Sequence, residues 1–170
     1  MLRRYPYFRQ PGACADGSPV PRPLSFSVKR VIRFEEVDSL GVVWHGRYPS
    51  YFEDARVALG ARLGIGYDTL IRQRTPAPVK QMYIEYISPL RFGRTCDIQA
   101  TIHWSEAARM NLSYSIRDEE GGLCADGYTV QLFTTADGEL LLEQPDFYAA
   151  FCREWKSGRF AVENGETPDI

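Results

Sequence analysis

The sequence predicts an α+β fold in which a curved antiparallel sheet is wrapped around one long central helix. The chain reads as a strand, a helix and then four strands in hairpin-like succession, and the longest helical segment is apolar around much of its circumference. A helix that is apolar over so much of its surface is buried. Periodicity alone predicts a sheet with one covered face, and the wrapping is inferred from the helix.

The first strand and the central helix have different apolar periods. Residues 26–34 alternate as a half-covered strand does, whereas residues 48–63 repeat apolar side chains at spacings of three and four. Pro49 suits the first turn of this helix, Gly64 its end, and residues 67–73 add a short helical turn. The apolar side of the strand comprises Val28, Ile32 and Phe34.

Four strand-like segments and a final helix complete the domain. The strands are predicted over residues 79–87, 95–104, 109–117 and 123–135. Their period of two is typical of antiparallel sheet with one face covered. Pro145 opens a C-terminal helix to about residue 156, because proline suits a first helical turn.

The proline-rich start of the chain predicts an irregular arm over residues 1–24. The folded domain is expected over residues 25–157, followed by a frayed C-terminal tail over residues 158–170.

Composition argues against several classes of protein. The 20 Lys+Arg and 22 Asp+Glu residues give a net charge of -2, so no basic bias points to nucleic acid. Apolar runs last only a few residues against the roughly 20 of a membrane span, and the N-terminus lacks the apolar core of a signal peptide. Four widely spaced cysteines and two histidines argue against structural zinc and predict free thiols in the cytoplasm.

The segment between the first strand and the helix is the most unusual stretch of the chain. Asp38, Gly41, His45 and Tyr48 follow one another there at offsets of three, four and three residues. The start of a helix offers unpaired backbone N–H groups and a positive dipole end. A carboxylate beside such donors suits acyl transfer, since the donors stabilise the carbonyl oxygen while the carboxylate attacks or activates water. Asp38 by itself could equally cap a turn.

The motif D-x2-G-x-V-x-H-x2-Y over residues 38–48, followed by Y-F-E-D-A-R at 51–56, resembles the opening of the 4-hydroxybenzoyl-CoA thioesterase family of hotdog-fold proteins. Bacterial acyl-CoA thioesterases encoded with the Tol-Pal envelope system share this signature. The resemblance runs from about residue 28 to 135 and includes a middle strand at 79–86. It implies the hotdog fold.

The resemblance also implies roles for individual residues. Asp38 matches the catalytic carboxylate, either a nucleophile that forms a mixed anhydride or a general base for water. His45 matches the position whose backbone N–H polarises the thioester carbonyl, with a further role open for its ring. Phe34 is a departure, because many relatives carry tyrosine there. The expected substrate contacts are Gly41, Val43, Trp44, Tyr48 and Tyr83, which suit an aromatic or an aliphatic pocket equally well.

The implied reaction is hydrolysis of an acyl- or aroyl-CoA, or of a carrier-protein thioester, to free acid and thiol, without a metal or redox cofactor. An open sheet edge favours pairing of two sheets, and the resemblance implies a homodimer or homotetramer with each site at the protomer interface. A hotdog hydratase or dehydratase is one alternative, although Gly46 and Arg47 follow His45 where that pattern has a proline-containing loop. A non-catalytic acyl-thioester-binding module is the other. Candidates for coenzyme A phosphates are Arg72, Arg74, Lys80, Arg91 and Arg94.

Overall fold

The computed structural model describes residue 8 and residues 12–160, and it confirms the predicted fold class. Five strands form one antiparallel sheet in the order β1-β3-β4-β5-β2, and a long helix packs against β1 and β3. The elements are β1 (Leu24–Val31), α1 (Tyr48–Leu63), α2 (Tyr67–Arg72), β2 (Val79–Tyr86), β3 (Thr95–His103), β4 (Arg109–Asp118), β5 (Leu123–Leu132) and α3 (Asp146–Lys156). The curved sheet and long helix are those of a hotdog fold.

The central helix α1 lies close against the inner face of the sheet. The ring of Phe52 stacks on that of Tyr114 in β4 with centroids 4.3 Å apart. Gly127 of β5 makes this approach possible, because a Cβ there would lie 2.7 Å from the Phe52 ring and 2.3 Å from the Tyr83 carbonyl oxygen. The helix ends, as predicted, at Gly64, whose φ of 71° suits glycine.

Two predicted strand ends are wrong. The first strand stops at Val31 instead of residue 34, because the Arg33 N–H donates to the Glu36 carboxylate at 2.8 Å and the chain turns into a short 3-10 segment. Phe34, predicted on the buried face, is 77% exposed and touches only the Phe92 ring among aromatic side chains of the described residues. The last strand stops at Leu132 instead of residue 135.

The outer face of the sheet is covered as well near its centre. Phe8 is buried there and makes edge contacts with Tyr128 of β5 and with His103 of β3. His103 shares a 2.7 Å hydrogen bond with Ser113, and burial lowers its pKa to about 4. His103 is therefore neutral near pH 7 and packs as a structural residue.

The arm and the tail are only partly within the described residues. Residues 1–7, 9–11 and 161–170 lie outside them. Cys14 is buried, and the Trp155 indole N–H of α3 donates to the Arg22 carbonyl at 2.8 Å, so the later part of the arm packs on α3. The predicted limits of the folded domain stay a prediction.

Neither a membrane helix nor a metal cluster occurs in the described part of the chain. No described helix has the length and hydropathy needed to cross a bilayer. Within the same residues, no group of three or more His, Cys, Asp or Glu side chains could hold a metal ion. All four cysteines are buried and free.

Candidate active site

The loop between β1 and α1 folds into a tight hairpin. Val37 pairs with Val43 across it, and the Asp38 N–H donates to the Val42 carbonyl at 2.9 Å. Gly41 occupies the turn with φ of 71°, a conformation that other residues rarely adopt. A further hydrogen bond, from the Val43 N–H to the Leu90 carbonyl at 2.9 Å, fixes the hairpin to the segment before β3.

Asp38 presents one oriented and one open carboxylate oxygen. The side chain is half-buried, and its Oδ1 accepts the Leu40 N–H at 2.8 Å. Its Oδ2 has no hydrogen-bond partner within residue 8 and residues 12–160. The bond to Leu40 is the one that a turn-capping role requires, and it orients the carboxylate so that the second oxygen can act on a substrate.

His45 begins the 3-10 turn that leads into α1 and is exposed. Its backbone N–H reaches no acceptor among the described residues, whereas its carbonyl accepts the Tyr86 hydroxyl at 3.0 Å. The imidazole lies beside the Trp44 indole with ring centroids 4.9 Å apart. Gly46 accommodates this indole, since a Cβ there would lie 2.1 Å from the ring.

Tyr48, the first residue of α1, is buried beneath the loop. It is 3% exposed, and its ring meets the Tyr86 ring edge-on with centroids 4.9 Å apart. Burial raises the pKa of Tyr48 to about 12, so the phenol stays protonated near neutral pH. Tyr48 can therefore line a pocket or donate a hydrogen bond, and it is unsuited to act as a base.

The structure gathers six predicted site residues at the loop–helix junction and leaves one elsewhere. The six are Asp38, Gly41, Val43, Trp44, His45 and Tyr48. Tyr83 lies on the outer face of the sheet, where its ring stacks on Tyr128 with centroids 5.7 Å apart. Tyr86, three residues later in β2, points to the inner face, where its ring meets that of Tyr48. Alternation along β2 places the two tyrosines on opposite faces.

A buried ionic cluster behind the loop was not predicted. Glu36 is 3% exposed, and its Oε2 accepts both the Arg33 N–H at 2.8 Å and the Tyr51 hydroxyl at 3.1 Å. Its Oε1 pairs with Arg30, which also pairs with Asp54 of α1. Burial and the adjacent Glu36 carboxylate raise the pKa of Tyr51. The one sequence signal for this cluster is an acid three residues after Arg33, the spacing of a capping box.

The cluster also holds the loop. The Glu36 carbonyl accepts the Trp44 N–H at 2.9 Å, so the residue before His45 is bonded to the residue whose side chain anchors the cluster. The Arg30 guanidinium lies over the Tyr51 ring, 4.3 Å from its centroid. These contacts fix the backbone from which Asp38 and His45 project.

A polar cleft of about 370 Å³ lies next to the loop. Arg91 and Arg94 line it, and Arg91 forms a backbone bridge with Val42 of the hairpin. Arg94 pairs with Glu119 at 3.1 Å, whereas the Arg91 guanidinium has no ion-pair partner in the described part of the chain. Arg91 is therefore one cation available beside the loop.

Comparisons with known proteins identify the family of this chain. The family model described as the thioesterase-like superfamily matches residues 32–152. The acyl-CoA thioester hydrolase YbgC of Escherichia coli is 30% identical over 71 residues, covering 42% of this chain and 53% of YbgC. The chloroplastic acyl-acyl carrier protein thioesterase ATL3 of Arabidopsis thaliana is 28% identical over 108 residues, 62% of this chain and 57% of ATL3.

Solved structures share the architecture over most of the chain. A DHNA-CoA thioesterase from Staphylococcus aureus superposes with a TM-score of 0.70 at 25% identity, covering 86% of this chain and 98% of that one. The family match spans the loop, the central helix, strands β2 to β5 and most of α3, and it includes the hairpin that carries Asp38. The chain therefore belongs to the thioesterase-like superfamily of hotdog proteins and is an enzyme of the thioesterase class.

Proposed function

We propose that the protein hydrolyses an acyl- or aroyl-CoA thioester, or the same thioester on a carrier protein, at the junction of the hairpin and α1. The observation that carries this proposal is that the backbone N–H of His45 and the Oδ2 of Asp38, on one short segment, both lack a partner among the described residues. A hydrogen-bond donor and a carboxylate are the two groups that thioester hydrolysis requires from the enzyme.

Two routes use these groups. In the first, Asp38 takes a proton from water while the water oxygen bonds to the thioester carbon, and the His45 N–H stabilises the oxyanion. The intermediate then collapses, the C–S bond breaks and the thiolate receives the proton from Asp38. In the second, Asp38 itself attacks, the thiolate leaves, and water hydrolyses the mixed anhydride. In ¹⁸O-labelled water, label in the Asp38 carboxylate is expected only from the second route.

The arginine beside the loop suits a coenzyme A ester. Arg91 is bridged to the hairpin and has no ion-pair partner among the described residues, so its guanidinium is free to bind phosphate oxygens. Arg91→Ala should raise KM for acyl-CoA and leave KM for the matching pantetheine thioester, which lacks the nucleotide phosphates, within about twofold. An equal effect on both substrates would remove this role from Arg91.

The exposed strand β2 supports the expected oligomer. β2 is one edge of the sheet, and its inward-facing Met82 and Tyr86 are 40% and 51% exposed. Pairing β2 with a second copy would satisfy its open backbone groups and cover these side chains. In light scattering we expect two or four times the 19.4 kDa chain mass. A stable monomer with full activity would contradict an interface site.

The decisive experiment measures thiol release from a panel of acyl- and aroyl-CoA esters by the purified protein. We expect saturable turnover on at least one ester and its loss in Asp38→Asn. Binding without thiol release would favour the ligand-binding module, and water addition to an enoyl-CoA would favour the hydratase. The free, buried cysteines suit the reducing cytoplasm in which we expect this reaction.

A further inference from the structure

A second cavity, of about 550 Å³, lies between α1, α2 and the start of β2. Its walls are mostly apolar and include Leu70 and Ile71 of α2 and the turn Pro76-Ala77-Pro78. Glu53 and Arg56 of α1, joined by a 2.8 Å hydrogen bond, form its polar rim with Tyr67. This volume and this lining are those of a small-molecule pocket.

The floor of this cavity holds a buried amide oxygen that has no hydrogen-bond partner among the described residues. Gln131 of β5 lines the cavity and is only 1% exposed, and its Oε1 accepts no hydrogen bond within the described residues. The neighbouring inward-facing Thr129 differs, because its hydroxyl shares a 2.9 Å hydrogen bond with Tyr114. An unpaired buried amide oxygen is costly for a folded protein, which points to a ligand group as its partner.

We infer that this cavity receives the distal end of the acyl group and that Gln131 recognises a hydroxyl there. The inference rests on the proposed thioester hydrolysis. A primary amide carries one acceptor and one pair of donors, and a hydroxyl both donates and accepts, so it matches the amide in either orientation. The surrounding apolar walls accommodate the carbon skeleton of the acyl group, aliphatic or aromatic.

Pairing of two copies brings the cavity to the reactive loop. Val79, at the cavity, and Tyr86, at the loop, are opposite ends of β2, which spans about 23 Å at 3.3 Å per residue. Antiparallel pairing of β2 with a second copy, centred on the middle of the strand, places Val79 opposite Tyr86 of the partner subunit. The cavity of one protomer then adjoins the loop of the other, and a short acyl group can reach from thioester to Gln131.

Gln131 should therefore discriminate between acyl groups that differ only in a hydroxyl. An ester without the hydroxyl leaves the buried amide unpaired, and we expect it to be hydrolysed with a kcat/KM about 10–100-fold lower. This preference belongs to one side chain and can be removed without touching Asp38 or His45.

The test compares matched pairs of esters, 4-hydroxybenzoyl-CoA with benzoyl-CoA and 10-hydroxydecanoyl-CoA with decanoyl-CoA. Wild type should prefer the hydroxylated member of at least one pair by tenfold or more. Gln131→Leu should reduce that preference to within about threefold, by slowing the hydroxylated ester and sparing the other. Gln99→Leu, at an exposed glutamine of β3, is the matched control and should keep the wild-type preference.

The outcomes separate this inference from the proposed function. Thiol release without a hydroxyl preference, or a preference that survives in Gln131→Leu, would overturn the role of Gln131 and leave hydrolysis standing. If no ester releases thiol, hydrolysis fails, and calorimetric binding of 4-hydroxybenzoate against benzoate still tests the cavity, with equal affinities refuting it. Gln131→Met, of equal side-chain length, replaces the leucine variant if the latter does not fold.

Discussion

The two sides of the loop between β1 and α1 carry acids in opposite situations. On the inner side, Glu36 is 3% exposed and both of its carboxylate oxygens have partners. On the outer side, Asp38 is half-buried, and among the described residues only its Oδ1 has a partner, the Leu40 N–H. One acid therefore holds the loop, and the other keeps a carboxylate oxygen for chemistry. Substitution of Glu36 should therefore reduce mainly stability, and substitution of Asp38, two positions later, mainly activity.

The sharpest test of this separation is Asp38→Asn. The asparagine amide oxygen can still accept the Leu40 N–H, so the turn is kept and only the negative charge is lost. We expect turnover to fall by about 10²–10⁴-fold, with a melting temperature near that of wild type. Glu35→Gln, at an exposed acid of the same segment, is the control and should keep full activity. More than about a tenth of wild-type turnover in Asp38→Asn would exclude Asp38 as the reacting carboxylate.

The second test concerns the backbone donor, which only a substitution to proline removes. His45→Ala keeps the N–H, and we expect a loss of less than about tenfold. His45→Pro deletes the N–H at a first helical position, where proline is tolerated. The preceding Trp44 already has the extended conformation, with ψ of 132°, that a following proline favours. We expect kcat to fall by about 10²–10³-fold.

Steady-state kinetics on both folded variants checks this order. An alanine variant as inactive as Asp38→Asn would show that the imidazole, and not the backbone, does the work of His45. An active proline variant would remove the oxyanion role from this N–H altogether.

Glu36→Gln tests the inner side of the loop. The amide cannot replace the charge that pairs with Arg30, although Arg30 keeps Asp54. We expect the free energy of unfolding to fall by about 2–4 kcal/mol, the range for breaking a buried hydrogen-bonded ion pair that retains one partner. Urea titration measures it, and Glu35→Gln should change it by less than about 0.5 kcal/mol. A stable but inactive Glu36→Gln variant would reverse the roles of the two acids.

Tyr86→Phe should have the smallest effect. It removes the hydroxyl that donates to the His45 carbonyl at 3.0 Å and keeps the ring that packs against Tyr48. Because the change removes a single hydrogen bond between neutral groups, we expect about 1 kcal/mol of lost stability and a few-fold loss of turnover. Urea titration and initial rates check both values. A loss comparable to that of Asp38→Asn would place Tyr86 among the reacting groups.

Local pattern was sufficient for most of the fold. The apolar spacing of residues 48–63, with Pro49 at the start and Gly64 at the end, predicted α1 with the bounds that the structure has. The four later strands were predicted to within three residues at each end. These elements can be predicted because each depends on the hydrophobic period and backbone preferences of residues close together in the sequence.

The sheet face on which a side chain lies, and the extent of its burial, were harder to predict because both depend on which elements pack against it. Alternation puts Tyr83 and Tyr86 on opposite faces of β2, but only the position of α1 decides that the face of Tyr86 is the inner one. Likewise, Glu35 and Glu36 are identical in the sequence, and burial against Arg30 and Tyr51 distinguishes the second.

Neighbours along the chain were enough to predict the α+β class, the central helix and a loop that carries Asp38 and His45 between the first strand and that helix. Packing between distant elements decides that Glu36 anchors this loop, that Tyr86 lies beside it, and that the Gln131 Oε1 in the second cavity has no partner among the described residues. Burial and hydrogen-bond satisfaction of a side chain depend on residues distant in sequence. Neither property can be predicted from a local pattern, because both are set only when α1, the sheet and α2 pack together.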